Sequence, residues 1–462
     1  MPLIKTISGI RGTIGGRSGD NLTPEEVIKF TAAFAARLMV SGKKKKMVIG
    51  RDARISGAMV SALVAATLQA MGMDVIDAGL STTPSVELAV VHHDCAGGII
   101  ITASHNPVQW NALKLLNEAG EFISEREGIK VLQEAETGNF SFAEVNALGS
   151  YREDDSSIAR HIEMILALPL VKVEMIRKKK FRIVVDAVNS TGGIAVPQML
   201  SALGVEEIIE LNCEPTGNFA HNPEPLPENL AELSQQVKFH KAHLGFAVDP
   251  DVDRLAIVCE DGSMFGEEYT LVAVADYVLQ HTKGNTVSNL SSTRALKDIT
   301  IKAGGKYFAT PVGEVNVVAK MKEEKAVIGG EGNGGIIYPG LHYGRDALAG
   351  IALFLSHLAT SKKTCSVLRR DYPDYVISKN KIQLTPEISI DHILKGIEKK
   401  YAAQPLNTED GLKIEFDGDW VHLRKSNTEP IIRIYSESVH EATASKLAEK
   451  IMGDIKAIMK DV

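Results

Sequence analysis

The sequence predicts an α/β chain: three similar α/β domains followed by a smaller C-terminal α+β domain. Three observations carry this. Apolar runs of strand length alternate with stretches that are apolar at helical spacing, the mark of layered α/β folds. The alternation restarts at Phe181–Asp186, after a polar stretch from Gly149 to Ser157. Near the C-terminus it gives way to two strand-like runs flanking Asp417-Gly418, a hairpin turn signal.

The elements follow in order. Thr23-Pro24-Glu25-Glu26 reads as a helix start, with Thr23 as N-cap, Pro24 first in the helix and Glu26 closing a capping box. The helix runs to Leu38. Met47–Gly50 is a strand, Ser56–Met71 a helix and Asp74–Asp77 a strand. Gly98–Thr102 is continuously apolar, as a strand buried on both faces would be. After the restart come a helix near Glu228–Phe239 and strands at Leu244–Val248 and Leu255–Cys259. A third set holds helix Glu267–Gln280, strand Thr286–Leu290, helix Arg294–Ala303, strand Ala326–Gly329 and helix Asp346–Ala359. Asp371–Tyr375 reads as a linker. Lys413–Phe416 and Trp420–Arg424 form the hairpin, and helix Glu441–Met459 ends the chain. The expected domains are 1–150, 151–256, 257–370 and 371–462.

Composition excludes several classes of function. The chain has 462 residues, 44% hydrophobic and 24% charged, with formal net charge −7. A mildly acidic chain lacks the basic footprint that nucleic acid requires. The runs Lys43–Lys46 and Arg177–Lys180 each precede an apolar strand and read as solvated loops. No stretch approaches the apolar length of a membrane span, and the N-terminus has no signal-like apolar core. Cys95, Cys213, Cys259 and Cys365 form no C-x-x-C pair and read as buried free thiols. The expectation is a cytoplasmic protein, a monomer or homodimer, with no nucleic-acid or membrane partner.

Four loops could carry chemistry. Thr102-Ala103-Ser104-His105-Asn106-Pro107 follows the buried strand, where functional loops lie in α/β proteins. Ser104 needs activation to act as a nucleophile, and the adjacent His105 does not supply it, because neighbouring side chains in extended backbone point apart. Taken alone, these six residues read first as a polar turn. Asp249-Pro250-Asp251-Val252-Asp253-Arg254 lies between two apolar strands. Three carboxylates at alternate positions repel unless solvated or bound to a cation. Arg254 stands where an EF-hand needs glycine, so Mg²⁺ with open positions for substrate fits better. Gly330-Glu331-Gly332-Asn333-Gly334-Gly335 matches a dinucleotide fingerprint by letter, but Ile336–Gly340 cannot open the helix that fingerprint needs. It reads equally as a plain glycine turn or as a loop offering Glu331 and Asn333 to sugar hydroxyls. Arg424-Lys425-Ser426-Asn427-Thr428-Glu429-Pro430, with Arg433 beyond, suits a phosphate dianion or a hydrophilic connection. Ser8–Gly12 and Gly50–Ser56 are ambiguous: Arg11 reads as surface, and Asp52 or Ser56 as a helix cap.

Together, in this order, SGIRG, GRDARISG, TASHNP, DPDVDR, GEGNGG and RKSNTEP resemble the phosphohexomutases: phosphoglucomutases, phosphomannomutases and phosphoglucosamine mutases. The resemblance covers essentially the whole chain. It implies three α/β domains and a distinct fourth around a central cleft, one main loop in each. It implies an isomerase, an intramolecular phosphotransferase that exchanges hexose 6-phosphate and 1-phosphate through a 1,6-bisphosphate. Ser104 matches the phosphorylated serine. Asp249, Asp251 and Asp253 match the Mg²⁺ ligands, joined by an oxygen on Ser104. Arg254, Arg11 and Lys114 match residues at the reacting end. Glu331 and Asn333 match the sugar loop. Arg424, Ser426, Asn427 and Thr428 match the loop for the non-reacting phosphate, with Arg433 close by. A hexose 1,6-bisphosphate is the implied activator.

Many bacterial members carry Ser and His where this chain has Gly334 and Gly335. That His has been assigned acid–base work, so the base here is expected to be Lys114, with His342 a distant second. With LHYGRDA following the sugar loop, the run looks most like bacterial phosphoglucosamine mutases. Phosphomannomutase or phosphoglucomutase activity is the alternative. A phosphatase is the rival of another class, since Asp249-Pro250-Asp251 fits a D-x-D nucleophile, but Asp253 stands where that motif wants Thr or Val.

Overall fold

Apolar runs without polar alternation require a sheet covered on both faces, and the chain places them accordingly. Gly97–Ile101 and Leu244–Val248 are buried at every position. The computed structural model describes residues 3–6, 9–40, 44–383, 389–425 and 431–460. The chain divides into two compact units. Met1–Thr270 with Asn333–Arg369 form one, and Leu271–Gly332 with Arg370–Val462 form the other.

The first unit has two sheets. The larger has seven strands in the order Ile4–Thr6, Gly9–Thr13, Trp110–Leu116, Gly97–Ile101, Lys46–Arg51, Asp74–Leu80 and Tyr151–Glu153. The last four run parallel, while Trp110–Leu116 is antiparallel to both its neighbours. Alternate side chains of each strand enter different cores. Met47, Ile49, Ile99 and Ile101 pack with Phe30, Phe34, Val64 and Leu68 of helices Pro24–Val40 and Gly57–Ala70. Val48, Ile76 and Ile100 pack with Val86 and Val90 of helix Thr83–His92. The smaller sheet runs Leu255–Cys259, Leu244–Val248, Arg182–Asp186, Glu207–Leu211, with only its first pair antiparallel. Helix Ala347–Ser361 is buried at every residue from Ala347 to Ala359, as a helix apolar all round must be.

In the second unit, Tyr307–Thr310, Thr286–Asn289 and Ile328–Glu331 form a parallel set. An antiparallel sheet follows: Val376–Gln383, Ile431–Ser438, Trp420–Lys425, Leu412–Glu415, Leu406–Asn407. Helices Ile390–Lys400 and Glu441–Lys460 cover it through Ile393, Ile397, Ile451 and Ile455. The hairpin turn falls at Asp417-Gly418 as expected, with Gly418 at φ +88°.

One local expectation fails. Pro24 does open its helix, but no capping box forms at Thr23. The Thr23 hydroxyl has no hydrogen-bond partner among the described residues, and Glu26 instead accepts from the Gly19 amide at 3.1 Å. A capping box does form at Ser124 and Glu127, where a polar surface helix begins. Among the described residues no helix is long and apolar enough to cross a membrane.

Candidate active site

The loops after Gly97–Ile101 and Leu244–Val248 leave carboxyl ends of strands in the first unit, and they meet. Ser104 Oγ donates to Asp249 Oδ2 at 2.8 Å across 145 residues of sequence. Both loops contain left-handed residues: Ser104 at φ +48° and Val252 at φ +62°. For a β-branched residue this is an outlier, of the kind that survives only where surrounding bonds over-determine it. Those bonds are present. The Asp253 and Arg254 amides donate to Asp249 Oδ1, each at 3.1 Å. The Ala347 amide donates to the Val252 carbonyl, and the Ser190 and Thr191 hydroxyls to the Pro250 carbonyl.

Asp249, Asp251 and Asp253 are all buried, and one oxygen from each lies within 4.8 Å of the others. Burial, then the charges of Asp253 and Asp251, push the Asp249 carboxyl well above the ordinary range. Burial acts the same way on Asp251, but the Lys114 ammonium and its hydrogen bonds outweigh it and hold that carboxyl low. Lys114 Nζ is 2.7 Å from Asp251 Oδ2 and 3.8 Å from Asp253 Oδ2. Thr83 Oγ1 also donates to Asp251 Oδ2, at 2.6 Å, and Arg345 donates to Asp253 Oδ2 at 2.7 Å. Their other oxygens, Asp251 Oδ1 and Asp253 Oδ1, are buried with no hydrogen-bond partner among the described residues. Hard oxygen donors, buried, negative and unsatisfied, fit a divalent cation such as Mg²⁺.

Basic groups surround this cluster. Burial would lower the Lys114 pKa, yet Asp251 and Asp253 raise it, so Lys114 stands as a charged proton donor. Arg11 donates to Asn106 Oδ1 at 2.8 Å, and Arg254 lies 3.3 Å from Glu224 Oε1. His105 Nδ1 is 3.5 Å from Ser104 Oγ, too long for a productive hydrogen bond. Burial, then Arg254 and Arg11, hold its pKa well below the ordinary value. Ser104, the three aspartates, Arg11, Lys114 and Arg254, all named from the sequence, lie near one another here. Sequence reasoning missed Thr83, Glu224 and Arg345. Arg345 lies in the LHYGRDA run, but nothing in its spacing points to Asp253.

His342 is not placed to be a base. Its Nδ1 lies 3.2 Å from Glu87 Oε2 and its Nε2 3.1 Å from Asp346 Oδ2. Burial would lower its pKa, but the two carboxylates raise it to about 10. Carboxylates on both sides require a donor on both sides, which is the imidazolium.

In the second unit, Glu331 is buried and accepts from Asn289 Nδ2 at 2.9 Å and the Gly313 amide at 3.1 Å. Arg424 Nε lies 2.7 Å from Asp410 Oδ2, and in the sheet register Arg424 stands opposite Arg433. Ser426, Asn427 and Thr428 lie outside the described residues. Asn333 belongs to the first unit, where its Oδ1 accepts from the Gly335 amide at 3.2 Å.

Four family profiles match in the order of the loops. They are described as phosphoglucomutase/phosphomannomutase alpha/beta/alpha domains I, II and III and the C-terminal domain, over residues 3–141, 159–262, 266–375 and 385–453. The phosphoglucomutase/phosphomannomutase of Thermococcus kodakarensis is 36% identical over 95% of this chain and 96% of its own length. The chain belongs to the phosphohexomutase family. It is an intramolecular phosphotransferase. A probable phosphoglucosamine mutase of Methanopyrus kandleri is 31% identical over 98% of both chains. The crystal structure of a phosphoglucomutase/phosphomannomutase family protein from Burkholderia thailandensis superposes with a TM-score of 0.86 at 27% identity, covering 99% of this chain and 98% of that one.

In this phosphohexomutase the backbone at 334–335 leaves little room for side chains. Gly334 sits at φ +83°, and a Cβ there would lie 2.4 Å from the Leu255 carbonyl oxygen. A Cβ at Gly335 would lie 2.4 Å from Arg345 Cδ. The space for a side chain at 335 is therefore filled by the arginine that holds Asp253.

Proposed function

We propose that this phosphohexomutase interconverts hexose 6-phosphates and 1-phosphates through a phosphoryl group on Ser104 and a 1,6-bisphosphate, with glucosamine phosphates preferred. The observation that carries the reading is the Ser104–Asp249 hydrogen bond beside Asp251 and Asp253, each buried with one oxygen that has no hydrogen-bond partner among the described residues. Asp249, Asp251 and Asp253 would hold Mg²⁺ with an oxygen on Ser104. A bound Mg²⁺ supplies charge stabilisation at the phosphoryl oxygens.

The chain's own groups do the positioning on which phosphoryl transfer depends. The bond from phosphorus to Ser104 Oγ breaks as one forms from phosphorus to the free sugar hydroxyl. The proton that the sugar hydroxyl gives up ends in effect on Ser104 Oγ: a protonated lysine gives one proton to Oγ as the phosphorus bond breaks and takes one from the hydroxyl. Lys114, buried and protonated beside Asp251, is the residue assigned to that proton. Arg254 and Arg11 face the transferred charge. Glu331 and Asn333 take the sugar hydroxyls. Arg424 and Arg433 stand opposite one another in the sheet and offer two guanidinium groups to the second phosphate. The four loops are assigned one each to segments 1–150, 151–256, 257–370 and 371–462.

The glucosamine preference is supported by relatives at 31–33% identity named probable phosphoglucosamine mutases. The Thermococcus relative at 36% favours glucose and mannose phosphates as the second reading. Comparing kcat/KM on glucosamine, glucose and mannose phosphates, with a hexose 1,6-bisphosphate present, decides between them. Release of free phosphate in place of the isomer would instead favour a phosphatase.

A further inference from the structure

The Asp52–Arg54 turn follows strand Lys46–Arg51 and reads in sequence as surface or helix cap. It is neither. Arg54 is 1% exposed and Asp52 is fully buried. A guanidinium has five N–H donors in a fixed fork, and all five of Arg54 are engaged. Nε donates to Asp52 Oδ2 at 3.0 Å. Nη1 donates to the carbonyls of Pro107 and Trp110, at 2.8 and 2.9 Å. Nη2 donates to the carbonyls of Ser104 and Asn106. Four carbonyls of the segment Ser104–Trp110 thus converge on one buried cation.

The circuit also closes on the reacting residue from its other side. Thr102 Oγ1 donates to Asp52 Oδ2 at 2.6 Å and accepts from the Ser104 amide at 2.9 Å. The carbonyl of Ser104 is therefore held by Arg54 and its amide, through Thr102, by Asp52. Ser104 can then keep φ +48° although it has a side chain. The same turn reaches the acidic loop: the Ala53 amide donates to Ser190 Oγ at 3.2 Å, which donates to the Pro250 carbonyl at 2.7 Å. The Phe219 ring lies 5.1 Å from the guanidinium.

We infer that Arg54, paired with Asp52, is the positioning residue of phosphoryl transfer: it fixes the Ser104 backbone in the conformation that presents Oγ to Asp249. The inference rests on Ser104 carrying the phosphoryl group. Arg54 touches no reacting atom, so its loss acts through geometry, where a displacement of about 1 Å costs roughly 10²-fold in rate. Lysine cannot replace it, because a compact ammonium has three donors and cannot span the carboxylate and four carbonyls.

The test uses the full chain with Mg²⁺, glucose 1-phosphate and glucose 1,6-bisphosphate. Two variants are compared with wild type: Arg54→Lys, and Thr102→Val, which deletes only the bridging hydroxyl and keeps the fold testable if Arg54→Lys does not fold. Both should lose kcat by about 10–100-fold while KM stays within about threefold. Uptake of a phosphoryl group on Ser104, read by intact mass, should slow in step. Free guanidinium should restore part of the turnover of Arg54→Ala. If Thr102→Val and Arg54→Lys keep kcat and phosphorylation within about twofold of wild type, or lose only thermal stability, the inference fails. A wild-type chain that takes up no phosphoryl group sinks the phosphoserine reading itself.

Discussion

Lys114→Met removes the cation that lies between two of the three buried carboxylates. At an effective dielectric of about 20, unit charges at the observed 2.7 Å attract by roughly 6 kcal/mol, and at 3.8 Å by roughly 4 kcal/mol. Burying the ions consumes much of that, and removing one partner of a buried pair costs about 3–5 kcal/mol. For a unit of this size each kcal/mol moves the midpoint by roughly 2–3 °C, so the variant should melt about 6–15 °C lower in chelator-treated buffer. A divalent cation should repair the damage, since it supplies charge where the ammonium was. A ligand at 100 times its Kd stabilises by about 2.7 kcal/mol. Mg²⁺ should therefore raise the variant's melting temperature by more than it raises that of wild type, while turnover stays low at every Mg²⁺ concentration. Calorimetry with Mg²⁺ titrated into metal-stripped protein checks this. Equal melting points without metal, or equal Mg²⁺ shifts, would refute the assignment of Lys114 as the counter-charge of the triad.

Further outcomes are expected. Ser104→Ala should show no phosphoryl adduct by intact mass and lose turnover on the order of 10³-fold or more. Asp251→Asn should lose the Mg²⁺ dependence of both activity and melting temperature; full metal-dependent turnover in that variant would remove the cation site. Gly334→Ala should destabilise the first unit by more than about 1 kcal/mol, because the left-handed backbone and the Leu255 carbonyl oxygen both oppose a Cβ; urea titration reads it. In the second unit, burial holds His422 down to about 4, from an ordinary 6.5. The folded form thus binds that proton less readily than the unfolded, so stability is complete above pH 6.5 and drains away as pH falls toward 4. Denaturant midpoints of wild type should fall across that window, and those of His422→Gln should fall less.

What could be read from sequence follows from what leaves a pattern in it. Gly98–Thr102 and Leu244–Val248 announce themselves because a strand covered on both faces has no polar alternation to confuse it. Tyr151–Glu153 does not: it is an edge strand exposed at all three positions, so it disappears into the polar stretch from Gly149 to Ser157. Asp249–Asp253 is legible because three clustered carboxylates need an explanation. Arg54 and Arg345 are not, since an arginine in a loop is ordinarily solvated and only tertiary contacts bury it. The capping box expected at Thr23 fails for a similar reason, Glu26 finding a better partner in the Gly19 amide. Ser104 and Asp249 stand 145 residues apart, and no local pattern measures the 2.8 Å between them.

Helix Ala347–Ser361 bears on how the polypeptide is made. It is buried from Ala347 to Ala359 in the first unit, yet the ribosome delivers it only after Leu271–Gly332, which belong to the second. Nascent chains fold as their parts emerge, but here the opening 270 residues must wait for a helix still unsynthesised, with an apolar surface bare in the interval. A fragment cut after Thr270 would keep that surface for good, and chaperones rather than substrate would be its first company.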